Sequence, residues 1–75
     1  MIELYATKSC PFCAELREQL EFDGREYVEY DIESDRQARA RFVELSGGNR
    51  VVPLLVEDGR VAQIGWQGRG CTIGG

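Results

Sequence analysis

The chain lacks histidine and contains only three cysteines among its 75 residues. A structural zinc site takes four cysteine or histidine ligands, so this sequence does not supply a complete set. Basic residues are also few, nine against thirteen acidic ones, and the net charge is −4. Because a nucleic-acid backbone is held by clustered positive charge, and no basic stripe is present, we expect no nucleic-acid partner.

Long apolar runs are missing as well. No segment approaches the roughly 20 apolar residues that span a bilayer, and residues 1–9 lack the cationic and apolar regions of a secretory signal. We therefore expect a cytoplasmic protein with no membrane partner. In that compartment, two cysteines close together in sequence are more often catalytic or metal-binding than structural.

The first half of the chain alternates between the patterns of strands and of helices. Residues 2–6 are short and apolar with the alternation of a strand. Cys13, Leu16 and Leu20 then follow at helical spacing, and the Asp–Gly pair at 23–24 ends this predicted helix.

The second half repeats this change and then adds a hairpin. Residues 26–32 alternate as a strand, and Ser34 with Gln37 forms a capping-box pattern that predicts the start of a second helix. Residues 51–57 and 60–64 are strand-like and are joined by an Asp–Gly turn signal. The predicted order is therefore β-α-β-α-β-β.

Two cysteines lie at the start of the first helix, in the sequence Cys-Pro-Phe-Cys at 10–13. Proline suits the first helical position, so Cys10 becomes the residue that caps the helix. A sulfur at this point faces unpaired backbone N–H groups and the positive end of the helix dipole, and Lys8 adds a nearby cation. We therefore expect the pKa of the Cys10 thiol to be lowered.

Cys13 lies one turn further along the same face as Leu16 and Leu20, so it should be buried and less reactive. Side chains at i and i+3 of a helix are neighbours, within the range that a disulfide bridges. The asymmetry indicates a mechanism in which Cys10 attacks a substrate disulfide and Cys13 resolves the mixed disulfide.

The Val52-Pro53 pair opens the third strand-like segment. A proline here is either an edge residue of the sheet or the site of a cis peptide bond. Beside a dithiol we favour the cis form, which would turn the backbone of Val52 outward, where an extended peptide can pair with it.

These features together resemble the glutaredoxins of the thioredoxin superfamily: CPFC after a first strand, VVP opening a third, and IG near the end of a fourth. The resemblance covers residues 1–66. It implies that Cys10 is the nucleophile, that Cys13 is the resolving thiol, and that Val52 and Pro53 form the substrate clamp. Phe12 takes the place of the family's usual tyrosine and keeps an aromatic surface without the hydroxyl.

The fold that this resemblance implies is α/β, a truncated thioredoxin fold with two helices and no final helix. Its four-stranded mixed sheet has the order 2-1-3-4, with strands 1 and 2 parallel. The predicted core consists of apolar side chains from all these elements: Leu4, Leu16, Leu20, Val28, Ile32, Phe42, Leu45 and Leu54.

The implied activity is thiol–disulfide oxidoreduction on protein disulfides or glutathione mixed disulfides, by a monomer with no bound cofactor and with glutathione as reductant. Two departures leave the reductant open. The family's usual lysine three residues before the nucleophile is replaced by Thr7, with Lys8 as the nearest cation, and the acidic pair after the fourth strand is absent. Gly65-Trp66 is similar to the Gly-Phe of short redoxins that take electrons from thioredoxin reductase, which is the alternative electron donor.

Residues 67–75 form a glycine-rich C-terminal tail after a domain that covers residues 1–66. Cys71 in this tail has two interpretations: an auxiliary redox thiol or a spectator. We expect the glycines to leave the segment mobile and Cys71 to be a spectator that forms a Cys10–Cys71 disulfide only as a minor product. We expect Trp66 to pack over the end of the sheet.

Two other classes of protein remain as remote alternatives. A pair of glutaredoxin-like subunits can bridge an iron–sulfur cluster through Cys10 and glutathione, but Pro11 and the resolving Cys13 argue against this. The terminal Gly74-Gly75 invites comparison with ubiquitin-like carriers, but those proteins begin with a hairpin rather than with strand, helix and strand.

Overall fold

A computed structural model describes residues 1–73 of the chain. They form two helices and six strands, whose order is β1 Ile2–Ala6, α1 Pro11–Phe22, β2 Val28–Asp31, α2 Arg36–Leu45, β3 Val51–Val52, β4 Leu54–Glu57, β5 Arg60–Ile64 and β6 Cys71–Thr72. The four-stranded sheet has the order β2-β1-β4-β5, and β3 pairs with β6 in a separate ribbon. The predicted α/β class, with two helices and a mixed four-stranded sheet in this order, is confirmed.

The sheet is mixed because its first two strands are joined through a helix and its last two by a tight turn. β1 and β2 are parallel, while β1 pairs with β4, and β4 with β5, in antiparallel fashion. Asp58 and Gly59 connect β4 to β5 with φ angles of 51° and 80°. Positive φ at both central residues is the geometry of a type I′ hairpin turn, as the Asp–Gly pair predicted.

The two helices cover opposite faces of this sheet. The ring of Tyr5 on β1 lies against the ring of Phe42 on α2, with centroids 6.4 Å apart. Successive strand residues point to opposite faces, so Leu4 and its register partner Glu29 point to the other face. Glu29 there accepts a hydrogen bond from Arg17 Nε on α1 at 2.6 Å.

The start of α2 differs from the prediction by one residue. Asp35, not Ser34, is the N-cap, and its Oδ1 accepts hydrogen bonds from the backbone N–H groups of Gln37 at 3.0 Å and Ala38 at 3.1 Å. The Ser34 hydroxyl instead lies 3.5 Å from the Asp31 carbonyl oxygen. A carboxylate also complements the positive end of the helix dipole, so Asp35 is the stronger cap of the two.

Six of the eight residues predicted for the core are buried, and the two exceptions are Leu45 and Val28. Leu4, Leu16, Leu20, Ile32, Phe42 and Leu54 are buried, and Leu45 is partly buried against them. Val28 is 39% exposed, so its assignment to the core was wrong. It is the first residue of β2, which lies at an edge of the sheet and has a neighbouring strand on one side only.

The largest departure is in the C-terminal part of the chain. Residues 51–57 are two strands, because β3 and β4 belong to different sheets on either side of Pro53. The expected mobile tail instead contains a turn and the strand β6, which pairs with β3. The Gly74-Gly75 pair lies outside the described residues. No helix within residues 1–73 is long and apolar enough to cross a membrane.

Candidate active site

Cys10 caps the first helix, as predicted. It has extended backbone angles (φ −87°, ψ 117°), Pro11 is the first residue of α1, and no side chain caps this end of the helix. The carbonyl oxygen of Cys10 accepts hydrogen bonds from the backbone N–H groups of Cys13 and Ala14 at 3.2 and 3.4 Å. The sulfur therefore sits where the helix dipole favours a thiolate, and a lowered pKa for the reduced thiol stays a prediction.

Cys13 is fully buried on the inner face of α1 and is the free cysteine of the described chain. Burial raises the pKa of its thiol. Hydrogen bonds from Thr7 and the positive charge of Arg17 oppose this shift, and the charge of Glu29 adds to it. The dithiol is thus asymmetric, with one sulfur at a helix terminus and the other in the core.

The Val52–Pro53 peptide bond is cis, as expected, and both side chains are buried. The Cys10 sulfur lies 4.0 Å from the carbonyl oxygen of Val52. The Pro53 carbonyl oxygen accepts a hydrogen bond from the backbone N–H of Gly65 at 2.8 Å. This loop therefore brings the edge of β3 beside the first cysteine.

Cys71 forms a disulfide with Cys10, and the two Cα atoms are 6.0 Å apart. In β6 it is the register partner of Val52. Cys71 therefore lies in a paired strand rather than in an unstructured tail, and its role as spectator or auxiliary thiol stays a prediction. The glycines of this segment allow a tight turn rather than mobility.

The remaining predicted site residues take less central positions. Lys8 is exposed in the turn between β1 and α1, while Phe12 is half-buried against the core. Trp66 is likewise partly buried against the core, in line with its expected packing role. None of these three side chains has a described hydrogen bond in the site.

A groove of about 380 Å³ borders the disulfide on the Cys71 side. It is lined by residues of the loop between β1 and α1, of the turn before α2, of α2 and of the C-terminal segment that includes β6: Thr7, Ser9, Glu33, Arg39, Cys71, Thr72 and Ile73. Within residues 1–73, no three histidine, cysteine, aspartate or glutamate side chains are grouped as metal ligands.

Sequence reasoning missed two parts of this site. The first is Thr7, which is 5% exposed and was noted only as the replacement of a lysine. Its hydrogen bonds to Cys13 depend on how β1 passes under α1, and no local pattern records that. The second is the pairing of β6 with β3, which holds Cys71 beside Cys10; Gln67-Gly68, between Trp66 and Arg69, was the available turn signal.

The fold and the cysteine pair at a helix N-terminus define a dithiol protein of the thioredoxin-like class. A glutaredoxin family model matches residues 2–62. The chain belongs to the glutaredoxin family, whose members are thiol–disulfide oxidoreductases.

Curated relatives match over much of this chain. A probable glutaredoxin of Synechocystis is 36% identical over 54 residues, which are 72% of this chain and 50% of that protein. Mycoredoxin 1 of Corynebacterium glutamicum is 38% identical over 54 residues, covering 72% of this chain and 66% of its own length. The chain thus spans between half and two thirds of these two relatives.

Solved structures agree with the fold. The thioredoxin-like protein BC3987 superimposes with a TM-score of 0.79 at 33% identity, covering 89% of each chain. A buckwheat glutaredoxin–glutathione complex superimposes with a TM-score of 0.70 at 18% identity, covering 85% of this chain and 59% of that one. The second likeness concerns the fold alone.

Proposed function

We propose that the chain is a dithiol oxidoreductase that reduces protein disulfides or glutathione mixed disulfides, with glutathione as its reductant. Cys10 is the nucleophile, and Cys13 is the buried thiol of the pair. The observation that carries this proposal is the position of the Cys10 sulfur, at the N-terminus of α1 and beside the edge of β3. A cysteine on a strand at that edge is already bonded to it.

Each step of the proposed reaction is an exchange between sulfurs. The Cys10 thiolate attacks a substrate disulfide, forms a bond to one substrate sulfur and releases the other as a thiolate. A second thiol then attacks the Cys10 sulfur and releases the remaining substrate sulfur. The protein ends as a disulfide and the substrate as two thiols, so two electrons have passed to the substrate.

Glutathione as reductant is supported by family membership and by the glutathione complex of the buckwheat neighbour. Lys8 and Phe12 are the proposed contacts for a substrate beside the nucleophile, because each lies two residues from Cys10, Lys8 before it and Phe12 in the first turn of α1. Val52 and Pro53 supply the backbone edge. Thioredoxin reductase is the alternative donor, and one assay distinguishes the two.

The test is a coupled turnover assay on a glutathionylated peptide, run with glutathione plus its reductase and separately with thioredoxin reductase. We expect glutathione-dependent turnover, its abolition in Cys10→Ser, and retained activity in Cys13→Ser, because a mixed disulfide with glutathione needs only one protein thiol. Glu18→Gln, on the exposed face of α1, is the control. Equal loss in both cysteine variants would contradict the assigned roles, and turnover with thioredoxin reductase alone would contradict the assigned reductant.

A further inference from the structure

The chain returns to the site after β5 by a tight turn. Trp66 and Arg69 exchange backbone hydrogen bonds of 2.6 and 2.9 Å, and Gln67 and Gly68 between them have φ angles of 51° and 77°. This is a two-residue hairpin turn. It reverses the direction of the chain and brings Gly70 and the following residues back toward β3.

The returning segment is fitted to β3 along its backbone. Val51 pairs with Thr72 and Val52 with Cys71, and the Ile73 N–H donates to the Arg50 carbonyl oxygen at 2.9 Å. Gly70 lies directly against this strand: a Cβ there would overlap the Val51 side chain and lie 2.8 Å from the Val52 carbonyl oxygen. Only a residue without a side chain allows β6 to dock at this distance.

This docking places Cys71 where a substrate cysteine would stand. The backbone edge of Val52 is the one proposed above for an extended substrate, and Cys71 is its partner on that edge. Its sulfur is bonded to the sulfur of the proposed nucleophile. The segment therefore presents an extended strand with a cysteine, held by its own chain.

We propose that Cys71 is a third catalytic thiol, which resolves the mixed disulfide on Cys10 before Cys13 does. The proposal rests on the function proposed above, because it needs Cys10 to have taken up a substrate sulfur. The Cys71 thiolate attacks the Cys10 sulfur, the bond between Cys10 and the substrate breaks, and the substrate leaves as a thiolate. Cys13 then attacks the Cys10 sulfur and releases the Cys71 thiolate, or glutathione reduces the Cys10–Cys71 disulfide.

Access favours Cys71 over Cys13 in the first of these steps. Cys71 is partly exposed and borders the groove described above, whereas Cys13 has no exposed surface and burial raises the pKa of its thiol. Since the thiolate is the attacking form, Cys13 is the slower nucleophile. A loop of about ten residues closes in 10–100 ns, so return of β6 to the edge does not limit the exchange.

The same movement also releases the product. An extended substrate and β6 compete for the same backbone edge of β3. When the substrate binds, β6 leaves this edge, and when β6 returns, it displaces the substrate. Cys71 therefore resolves the mixed disulfide on Cys10 in the same step in which β6 takes the place of the substrate on β3. Cys13 by itself would resolve the bond and leave the substrate strand on the edge.

The experiment maps the first intramolecular disulfide. Fully reduced protein is mixed with equimolar oxidised glutathione, quenched with acid and alkylating agent at successive times, digested with trypsin and analysed by mass spectrometry. Cleavage after Lys8, Arg17 and Arg69 places Cys10 and Cys13 on peptide 9–17 and Cys71 on peptide 70–75. A Cys10–Cys71 bond cross-links the two peptides, and a Cys10–Cys13 bond stays within the first.

We expect the cross-linked pair to appear first in the wild type, after a transient glutathione adduct on peptide 9–17. In Gly70→Ala, which retains all three thiols, the ratio of cross-linked to internal disulfide should fall about tenfold or more, because the added methyl group does not fit against β3. Gly24→Ala is the control. Gly24 has a φ of 69°, unlike Gly70, but there is open space around the added Cβ and the residue lies outside the ribbon. This variant should retain the wild-type ratio.

A second variant keeps the test independent of how well Gly70→Ala folds. In Cys71→Ser the glutathione adduct on Cys10 should persist about tenfold longer or more, since only the buried thiol is left to resolve it. If the wild type passes directly to the Cys10–Cys13 disulfide, and Cys71→Ser resolves its adduct at the wild-type rate, the inference is overturned while the proposed function stands. Absence of any glutathione adduct would instead overturn the proposed function.

Discussion

The three cysteines differ in how far each residue is exposed to solvent. Cys10 is 2% exposed in its disulfide, Cys13 is fully buried, and Cys71 is partly exposed. From helix position, burial and strand position we expect the three thiols to differ in reactivity. The order of exchange that we propose follows from those differences.

Burial of Cys13 has a consequence for stability at alkaline pH. Because the pKa of this thiol is raised in the folded state, the unfolded chain releases its proton first as the pH passes about 8.5. The contribution of the neutral thiol to stability is therefore complete below that pH and is lost as the pH rises toward the folded pKa.

We expect this loss in a background that cannot exchange disulfides. Two proteins are compared in the Cys10→Ser, Cys71→Ser background, one with Cys13 and one with alanine at that position. Between about pH 7 and pH 10, the free energy of unfolding from urea titrations should fall more in the protein with Cys13, because its thiol can release a proton and alanine cannot. If plots of the free energy of unfolding against pH are parallel for the two proteins, the pKa of the Cys13 thiol is not raised in the folded state.

Short sequence signals predict where each helix and strand begins and ends, and at the start of α2 the predicted and observed caps differ by one residue. Both Ser34 and Asp35 are residue types that cap helices, and the sequence pattern favoured the serine. The structure selects the aspartate, which accepts two backbone hydrogen bonds, while the serine hydroxyl has one long contact. A one-residue difference of this kind depends on the backbone angles between β2 and α2.

The cap can be tested by a matched pair of substitutions. Asp35→Ala should lower the free energy of unfolding by about 1 kcal/mol, because it leaves two N–H groups at the helix start without partners. Ser34→Ala should change it by less than about 0.5 kcal/mol. Urea titrations of both variants measure these changes. A larger loss of stability in Ser34→Ala than in Asp35→Ala would show that Ser34 is the cap, as the sequence pattern predicted.

Much of the main sheet could be predicted from the sequence, because its strands and helices have clear periodicity and turn signals. The type I′ turn at Asp58-Gly59, the end of α1 and the burial of Cys13 all follow from local patterns. Tyr5 was absent from the predicted core, although it is fully buried and stacks on Tyr30 with centroids 5.2 Å apart. A tyrosine in a strand is compatible with either environment until its neighbours are known.

The ribbon of β3 and β6 could not be predicted in the same way. Each strand has two residues, too few for any periodicity, and glycines surround one of them. Their pairing joins residues about twenty positions apart, and it depends on the turn at Gln67-Gly68 and on the space that Gly70 leaves. The part of the site on α1 could therefore be predicted from the sequence, whereas the part on the β3–β6 ribbon depends on a contact that only the folded molecule shows.

The whole molecule places the Cys10 sulfur at a helix terminus, where sheet and ribbon meet. In the proposed reaction, Cys10 is the thiol that takes the substrate sulfur. Three single-cysteine proteins, each retaining only Cys10, Cys13 or Cys71 with serine at the other two positions, test this directly. Each is reduced and mixed with oxidised glutathione at neutral pH, and the rate of adduct formation is followed by intact-protein mass spectrometry.

We expect the Cys10 protein to form its adduct at least about tenfold faster than the Cys71 protein, because a helix N-terminus favours the thiolate. The Cys13 protein should be the slowest, since its thiol is buried. If the adduct forms as fast on Cys71 or Cys13 as on Cys10, then Cys10 is not the nucleophile.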